Sequence, residues 1–436
     1  MKSFHIITFG CQMNEHDAER MTGILEAEGC TSSLAVEDAD LVILNTCSIR
    51  EKAEQKFYSE LGRIKQLKDA NPGLKIAVAG CIAQQEGAKI LSRAPYVDIV
   101  FGPSDISRLP EMVEKKRSWC APVIDIAGDP AYHQKSIPTS RTDRLKAWVS
   151  IMYGCDNYCT YCVVPYLRGR ERSRPSADIV HEVRELGRKG YREVTLLGQN
   201  VNSYGKGLED ACDFPSLLRL IHDSSNIERI RFVTSHPRDL SDELISAFNN
   251  LPRVCESLHL PIQSGSDDIL RVMNRKYTRE TYLDKVRKLQ LAVPHITLTT
   301  DIIVGFPGES ERDFEMTMDL LEEVQFDGAF AFKYSKRPGT AALKLEDHLP
   351  EDVKENRLAQ VLDLQGKMTS QKNGKLVGTI QEVLVDGFSK KRGAICGRTR
   401  GNKMVNIDAP ASLIGSLVNV TITAAGMSSL SGRLCE

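Results

Sequence analysis

Short apolar runs alternate with amphipathic stretches along most of this chain, and that alternation constrains its fold more than any other feature. FHIITF, DLVILN, LKIAVAG and VDIVFG are each the length of a strand, and each is followed by a helical pattern, as in IREKAEQKFYSELGRIKQLKDA after the second. Strands separated by helices build parallel sheets with crossover helices. After PVIDIAGDPAYHQKSIPTSRTDR, rich in Pro, Gly, Ser and charge, the alternation resumes from residue 146 with AWVSIMY, EVTLLG, RIRFVT, SLHLPI, LTTDIIVG and GAFAFKY. Six such strands fit an open or partial (β/α) barrel rather than a closed one of eight. The tail differs: QEVLVDGF, KMVNID and LVNVTITAA lie between Gly, Asn and Pro turns and predict a small all-β barrel. The organisation expected is a parallel-sheet unit over 1–118, a linker over 119–145, a partial barrel over 146–370 and a β module over 371–436.

Composition narrows the class. At 436 residues, with 41% hydrophobic and 26% charged content, the chain is an ordinary globular protein with two to four domains expected. It contains no run of 18 apolar residues, and MKSFHIITFG lacks a signal-peptide pattern, so no membrane partner and a cytoplasmic location are expected. In that reducing compartment the 12 cysteines are thiols, some of them candidate metal ligands. The net charge of −1 hides an asymmetry. Residues 371–436 hold nine Lys or Arg against four Asp or Glu, leaving 48 and 54 of the chain's 57 and 58 to the rest. A basic module on a mildly acidic body suits a polyanion.

Cys11, Cys47 and Cys81 each stand just past a predicted strand and just before a helix, 36 and 34 residues apart. In a parallel sheet those ends share one edge, where open α/β folds bind ligands. Packing alone gives buried cysteines no reason to collect there, so the three predict one metal site. A second set, Cys155, Cys159 and Cys162, has CxxxCxxC spacing after the first strand of the barrel unit. A structural zinc site would want a fourth ligand, and no Cys or His follows nearby before His181. Three thiolates on an iron-sulfur cube leave one iron open to a cofactor or substrate. Arg168, Arg170, Arg172 and Arg174 follow within LRGRERSRP, and two readings of them stand: a phosphate track, or ion pairs with acidic helices.

The CxxxCxxC loop, with Tyr161 before its last cysteine, resembles the radical S-adenosylmethionine signature. The wider set TFGCQMNEHDAER, LNTCSIREKAEQKFYSELGR, GCDNYCTYCVVPYLRGRERSRP, LLGQNVNSYG, VTSHP, HLPIQSGS, TTDIIVGFPGE and YSKRPGT is similar to the methylthiotransferases of that superfamily. The likeness spans nearly the whole chain and is looser in the tail, where AICGRTRGNKMVNID and LIGSLVNVTIT resemble a TRAM RNA-binding module. It implies an α/β fold: an N-terminal Rossmann-like sheet, a (β/α)6 TIM-type radical core and a TRAM barrel.

The resemblance also implies chemistry. Cys155, Cys159 and Cys162 would hold a [4Fe-4S] cluster that binds and cleaves S-adenosylmethionine. Cys11, Cys47 and Cys81 would hold an auxiliary [4Fe-4S] cluster that carries sulfur. Tyr161, Gln199, Asn200, Ser235, Gln263, Thr300 and Asp301 are candidates to grip the cofactor. Arg168, Arg170, Arg172, Arg174, Lys390, Lys391, Arg392, Arg398, Arg400 and Lys403 are candidates for RNA. The implied reaction is methylthiolation at carbon 2 of N6-dimethylallyladenosine beside the tRNA anticodon. It would need an electron-donor protein such as flavodoxin or ferredoxin and a sulfur donor, with the enzyme acting as a monomer. Two alternatives are a sister activity, on threonylcarbamoyladenosine or on a ribosomal-protein aspartate, and a non-catalytic iron-sulfur RNA sensor.

Overall fold

The computed structural model describes residues 2–47, 51–128, 137–390 and 393–435. In the N-terminal unit, β1 (Ser3–Thr8), β2 (Thr31–Ser32), β3 (Leu41–Thr46), β4 (Lys75–Gly80), β5 (Ile99–Phe101) and β6 (Val123–Asp125) form one parallel sheet in the order β2-β1-β3-β4-β5-β6. The sheet's helices are α1 (Gln12–Ala27), α2 (Glu51–Ala70), α3 (Cys81–Glu86), α4 (Lys89–Arg93) and α5 (Leu109–Ser118). Every residue of β3 is buried, as a run hydrophobic on both faces requires. The segment after residue 118 is more than a linker, because β6 pairs in register with β5.

The second unit opens with β7 (Lys146–Ser150) and a small antiparallel pair, β8 (Met152–Tyr153) with β9 (Arg172–Ser173), between which lies the short helix α6 (Val164–Arg168). The remaining barrel strands are β10 (Glu193–Leu197), β11 (Arg229–Phe232), β12 (Ser257–His259), β13 (Thr297–Val304) and β14 (Gly328–Lys333). All six predicted strands are present. They form two parallel three-stranded arcs, β11-β10-β7 and β12-β13-β14. An outer layer of α7 (Ser176–Arg188), α8 (Phe214–Ser224), α9 (Asp242–Asn250), α10 (Asp267–Val272), α11 (Arg279–Ala292) and α12 (Glu311–Val324) covers them. One core runs through both arcs, from Ala147 and Val149 to Leu298 and Ile302.

A long helix, α13 (Glu351–Gly374), leads to a closed five-stranded barrel of β15 (Ile380–Phe388), β16 (Ile395–Thr399), β17 (Met404–Ile407), β18 (Leu417–Ala425) and β19 (Leu430–Leu434). This module docks on the amino-terminal ends of the barrel strands. Lys146 bonds Asp386 at 2.6 Å, and Arg229 donates to the Glu382 carboxylate at 2.8 Å and to the Arg398 carbonyl at 2.7 Å. Arg231 reaches the Arg400 and Thr399 carbonyls at 2.7 and 2.8 Å, with Glu193 as its carboxylate at 2.8 Å. Arg400 returns to Glu256 at 2.7 Å and Lys403 to Asp327 at 3.0 Å. The tail thus closes the barrel floor, away from the carboxyl ends where (β/α) barrels work. Among the described residues no helix is long and apolar enough to cross a membrane.

Arg231 and Glu193 are both buried at this floor. Removing one partner of such a pair strands the other charge, at a cost of about 3 kcal/mol or more. Glu193→Ala is therefore expected to lower the unfolding free energy by about that amount, read as a lower urea midpoint with an unchanged slope.

Candidate iron-sulfur and cofactor site

The first three cysteines stand at the carboxyl ends of adjacent strands, and the local sequence explains their convergence. Cys11 caps α1, Cys47 follows β3 directly and Cys81 opens α3. Asn14 donates to the Thr46 carbonyl at 2.8 Å while Asn45 donates to the Asn14 carbonyl at 2.7 Å, tying the first loop to the second. Thr46 Oγ1 donates to the Ala79 carbonyl at 2.6 Å, which ties the second to the third. Gly10 lies at φ +127°, and a Cβ there would overlap the Cys47 side chain. A hydrogen bond with Cys47, more than any other contact, holds the Cys11 thiol down at about 6, and burial pushes Cys81 up.

The second set lies on a loop locked from several sides. Thr160 N and Oγ1 bond the Met273 and Val272 carbonyls at 3.1 and 2.9 Å, and Asn274 donates to the carbonyls of Asn157 and Tyr158 at 3.2 and 2.9 Å. Gly154, at φ +74°, lets the Arg170 backbone lie where a Cβ would be. Burial pushes the Cys155 thiol up, and pushes Cys162 up to about 12 with Cys159 as the next cause. Buried thiols that resist ionising as the free chain are stabilised as thiolates by metal cations. Among the described residues no three His, Cys, Asp or Glu side chains close on the spacing of a single ion. A four-iron cube, in which each thiolate has its own iron, fits two triads of this kind.

The two triads adjoin. Six residues after Cys162, Arg168 ends α6 and lies buried against the first triad. It donates to Asp17 on α1 at 2.9 Å, and although burial opposes its charge, Asp17 with the thiols of Cys81 and Cys11 holds it protonated.

The polar stations gather at the carboxyl ends of the barrel strands. Gln199 Oε1, Asn200 Oδ1, Ser235 Oγ, His236 Nε2 and Gln263 Oε1 are buried without a hydrogen-bond partner. Each orphan of this kind costs about 1–3 kcal/mol unless a ligand satisfies it. Most of these atoms are acceptors, matched to the amino and hydroxyl donors of S-adenosylmethionine. The backbone shows the same concentration, with Tyr158, Thr234 and Gln263 at φ +49°, +70° and +75°. Such conformations in residues with a Cβ collect at functional sites. Burial holds His236 at about 2, so its ring is neutral, and because Nδ1 accepts from Arg238 N at 3.2 Å, the unpartnered Nε2 carries the proton and is a donor.

Several candidates are placed differently from expectation. Thr300 is consumed by the barrel wall, donating to the Leu260 carbonyl at 3.1 Å and accepting from Ile262 N at 3.0 Å. Asp301 pairs with His259 at 3.3 Å. The arginine run does not form one surface: Arg168 ends α6, Arg172 lies in β9, and Arg170 and Arg174 stand in the segments beside them. Arg168 is buried, and Arg174 bonds Glu182 at 2.9 Å and the Ser150 carbonyl at 2.5 Å. Arg170 is exposed with a two-pronged bond to Asp156 at 2.9 and 3.0 Å, and Arg172 is exposed. In the tail, Arg400 and Lys403 hold the floor, Arg398 donates to the Asn402 carbonyl at 3.0 Å and Lys390 is exposed. Lys391 and Arg392 lie outside the described residues.

Sequence reading missed Arg275, in MNRKY. Its fully buried guanidinium donates to Cys159 Sγ at 3.3 Å, Tyr161 Oη at 3.3 Å, Tyr277 Oη at 2.8 Å and the Pro261 carbonyl at 2.9 Å. Among the described residues it has no carboxylate partner, so an anionic cluster on Cys159 is the charge it fits. Nothing in its spacing marks it, because the contact joins residues 116 apart. Arg275→Met should leave the irons on Cys11, Cys47 and Cys81 and weaken those on the second triad. Iron and acid-labile sulfide per chain are then expected to fall toward about half of wild type after reconstitution.

Three known domain families match successive parts of the chain. Residues 3–102 match the uncharacterized protein family UPF0004, residues 149–321 the radical SAM superfamily and residues 374–435 the TRAM domain. The radical S-adenosylmethionine methyltransferase TsrM from Kitasatospora setae has the same fold at a TM-score of 0.59, covering 89% of this chain and 79% of that one at 14% identity. The tRNA-2-methylthio-N(6)-dimethylallyladenosine synthase of Thermodesulfovibrio yellowstonii is 51% identical over 433 residues, covering 99% of each chain. That of Acetivibrio thermocellus is 50% identical over 436 residues, covering 99% of this chain and 91% of its own. With two cysteine triads, three matched domains and half of all residues shared along its length, the chain belongs to the tRNA-2-methylthio-N(6)-dimethylallyladenosine synthase family.

Proposed function

We propose that this chain installs a methylthio group at carbon 2 of N6-dimethylallyladenosine in tRNA, at the adenosine on the 3' side of the anticodon. The observation that supports the proposal is the buried Arg168–Asp17 contact, which brings the short helix after Cys155, Cys159 and Cys162 against the helix that begins at Cys11. With clusters and S-adenosylmethionine bound, the Cys155, Cys159 and Cys162 triad supplies one-electron cleavage of the cofactor, and the Cys11, Cys47 and Cys81 triad supplies sulfur.

The protein's own residues have definite parts. Gln199, Asn200, Ser235, His236 and Gln263 orient the cofactor through the atoms they leave unsatisfied. These atoms also weigh against a non-catalytic sensor, which needs no second small-molecule pocket. Arg275 fixes the loop that carries Cys159. Tyr158 and Tyr166, exposed with ring centroids 6.0 Å apart, stand beside Arg170 and offer stacking faces to unstacked bases while the arginines meet phosphate. The functional units are taken as 1–118 for the auxiliary cluster, 146–370 for the radical core and 371–436 for the TRAM module. An electron-donor protein such as flavodoxin or ferredoxin, a sulfur donor, a monomeric state and a cytoplasmic location complete the proposal.

Two triple variants test it. Cys155, Cys159 and Cys162 replaced together by Ala should abolish formation of 5'-deoxyadenosine from S-adenosylmethionine. The same change at Cys11, Cys47 and Cys81 should leave that cleavage in place while methylthiolated nucleoside disappears from prenylated tRNA by mass spectrometry. Methylthio product from the second variant would mean that sulfur enters from elsewhere.

A further inference from the structure

Each cysteine triad has a buried arginine against it, and the two arginines differ in what cancels their charge. Arg168, beside Cys11 and Cys81, donates to the Asp17 carboxylate at 2.9 Å, so cation and anion are supplied together. Arg275, beside Cys159, is 4% exposed and meets no carboxylate among the described residues. Every part of its guanidinium is committed: Nε to Tyr277 Oη at 2.8 Å, Nη1 to Cys159 Sγ and Tyr161 Oη at 3.3 Å each, and Nη2 to the Pro261 carbonyl at 2.9 Å. The two hydroxyls do not ionise to balance it, because burial pushes both phenols above their ordinary range. Glu171, the carboxylate whose charge reaches Cys155, accepts from Ser203 Oγ at 2.8 Å and faces Lys206 at 3.8 Å.

A fixed cation with an N–H on a ligand sulfur favours whichever state of the metal group carries more negative charge, and it does so more strongly where water is excluded. Reducing an iron-sulfur cluster adds one electron and leaves it one charge more negative. Beside the first triad the same bias is weaker, since the Asp17 carboxylate opposes the Arg168 guanidinium at short range.

We infer that Arg275 raises the reduction potential of the cluster on Cys155, Cys159 and Cys162, and so makes that cluster, rather than the one on Cys11, Cys47 and Cys81, the destination of the electron brought by a one-electron donor protein. The inference rests on the proposed function, which gives each triad a cluster, and adds the residue that directs the electron between them. Arg275 acts through Cys159 and is a positioning residue. Its bond to the Pro261 carbonyl keeps the guanidinium on the sulfur side of the loop, two residues before Gln263 with its unsatisfied amide oxygen.

The test is a reductive titration of the full reconstituted chain against redox mediators, without RNA or S-adenosylmethionine, read by the electron paramagnetic resonance of the reduced clusters. Because two signals would overlap, each Arg275 variant is also made with Cys11, Cys47 and Cys81 replaced by Ala, and the first cluster is measured with Cys155, Cys159 and Cys162 replaced instead. The second cluster should be reduced at the higher potential of the two. Arg275→Gln removes the charge and keeps an N–H donor, whereas Arg275→Lys keeps the charge. At the wild-type midpoint Arg275→Gln should lower the reduced-to-oxidised ratio of the second cluster about tenfold or more, which for one electron is about 59 mV, and Arg275→Lys should hold it within about threefold. An unshifted ratio in Arg275→Gln, or an equal fall in both variants, would overturn the inference. Loss of the second cluster's iron from both variants would also overturn it, because Arg275 would then hold the cluster together rather than set its potential. A wild type that binds a cluster at only one triad would overturn the functional proposal itself.

Discussion

The buried pair of Arg168 and Asp17 is the contact on which the working geometry depends. Arg168 ends the short helix that follows the CxxxCxxC loop, and Asp17 lies in the first helix, capped by Cys11. This ion pair, with the apolar cluster that Trp148, Leu197 and Val233 share with the N-terminal unit, ties the two cysteine-bearing loops together. Burial is what makes it effective. In water a pair of this kind contributes little and would let the domains move, whereas inside the protein either charge alone is costly and the two must stay together.

Charge compensation differs between the two triads. Beside the first, Arg168 already has a carboxylate, so its field on the thiols is partly cancelled. Beside the second, Arg275 has hydroxyl, carbonyl and sulfur partners only. Hydrogen bonds and net charge around the sulfurs are among the factors that set a cluster's potential. The fold thus gives the two triads different electrostatic surroundings although each offers three thiols.

The barrel is also divided along its axis. Its floor is a lattice of Arg, Lys, Glu and Asp that binds the β module, while its mouth holds unsatisfied polar atoms and strained backbone. A saturated floor tolerates no ligand, and an unsaturated mouth invites one. Of the tail's nine Lys and Arg, Lys372, Arg400 and Lys403 pair with carboxylates of the barrel unit, while Lys375, Lys390 and Arg433 are exposed.

Periodicity and turn chemistry made much of this protein legible in advance. The six barrel strands and the strand-end places of Cys11, Cys47 and Cys81 follow from local pattern, because a strand followed by a helix in a parallel sheet leaves its carboxyl end little freedom. The CxxxCxxC loop is local for the same reason. The direction of a side chain was not legible. Arg168, Arg170 and Arg174 look alike in sequence, yet one meets Asp17, one Asp156 and one Glu182, because the chain turns between them and each faces a different neighbour. Arg275 acts through residues far away in the chain, and Val123–Asp125 became a strand because it pairs in register with β5. Sequence determined which elements form and which thiols collect at their ends; only tertiary packing decided which charges are used up inside and which groups remain open to a ligand, because burial and partnership are properties of the assembled chain.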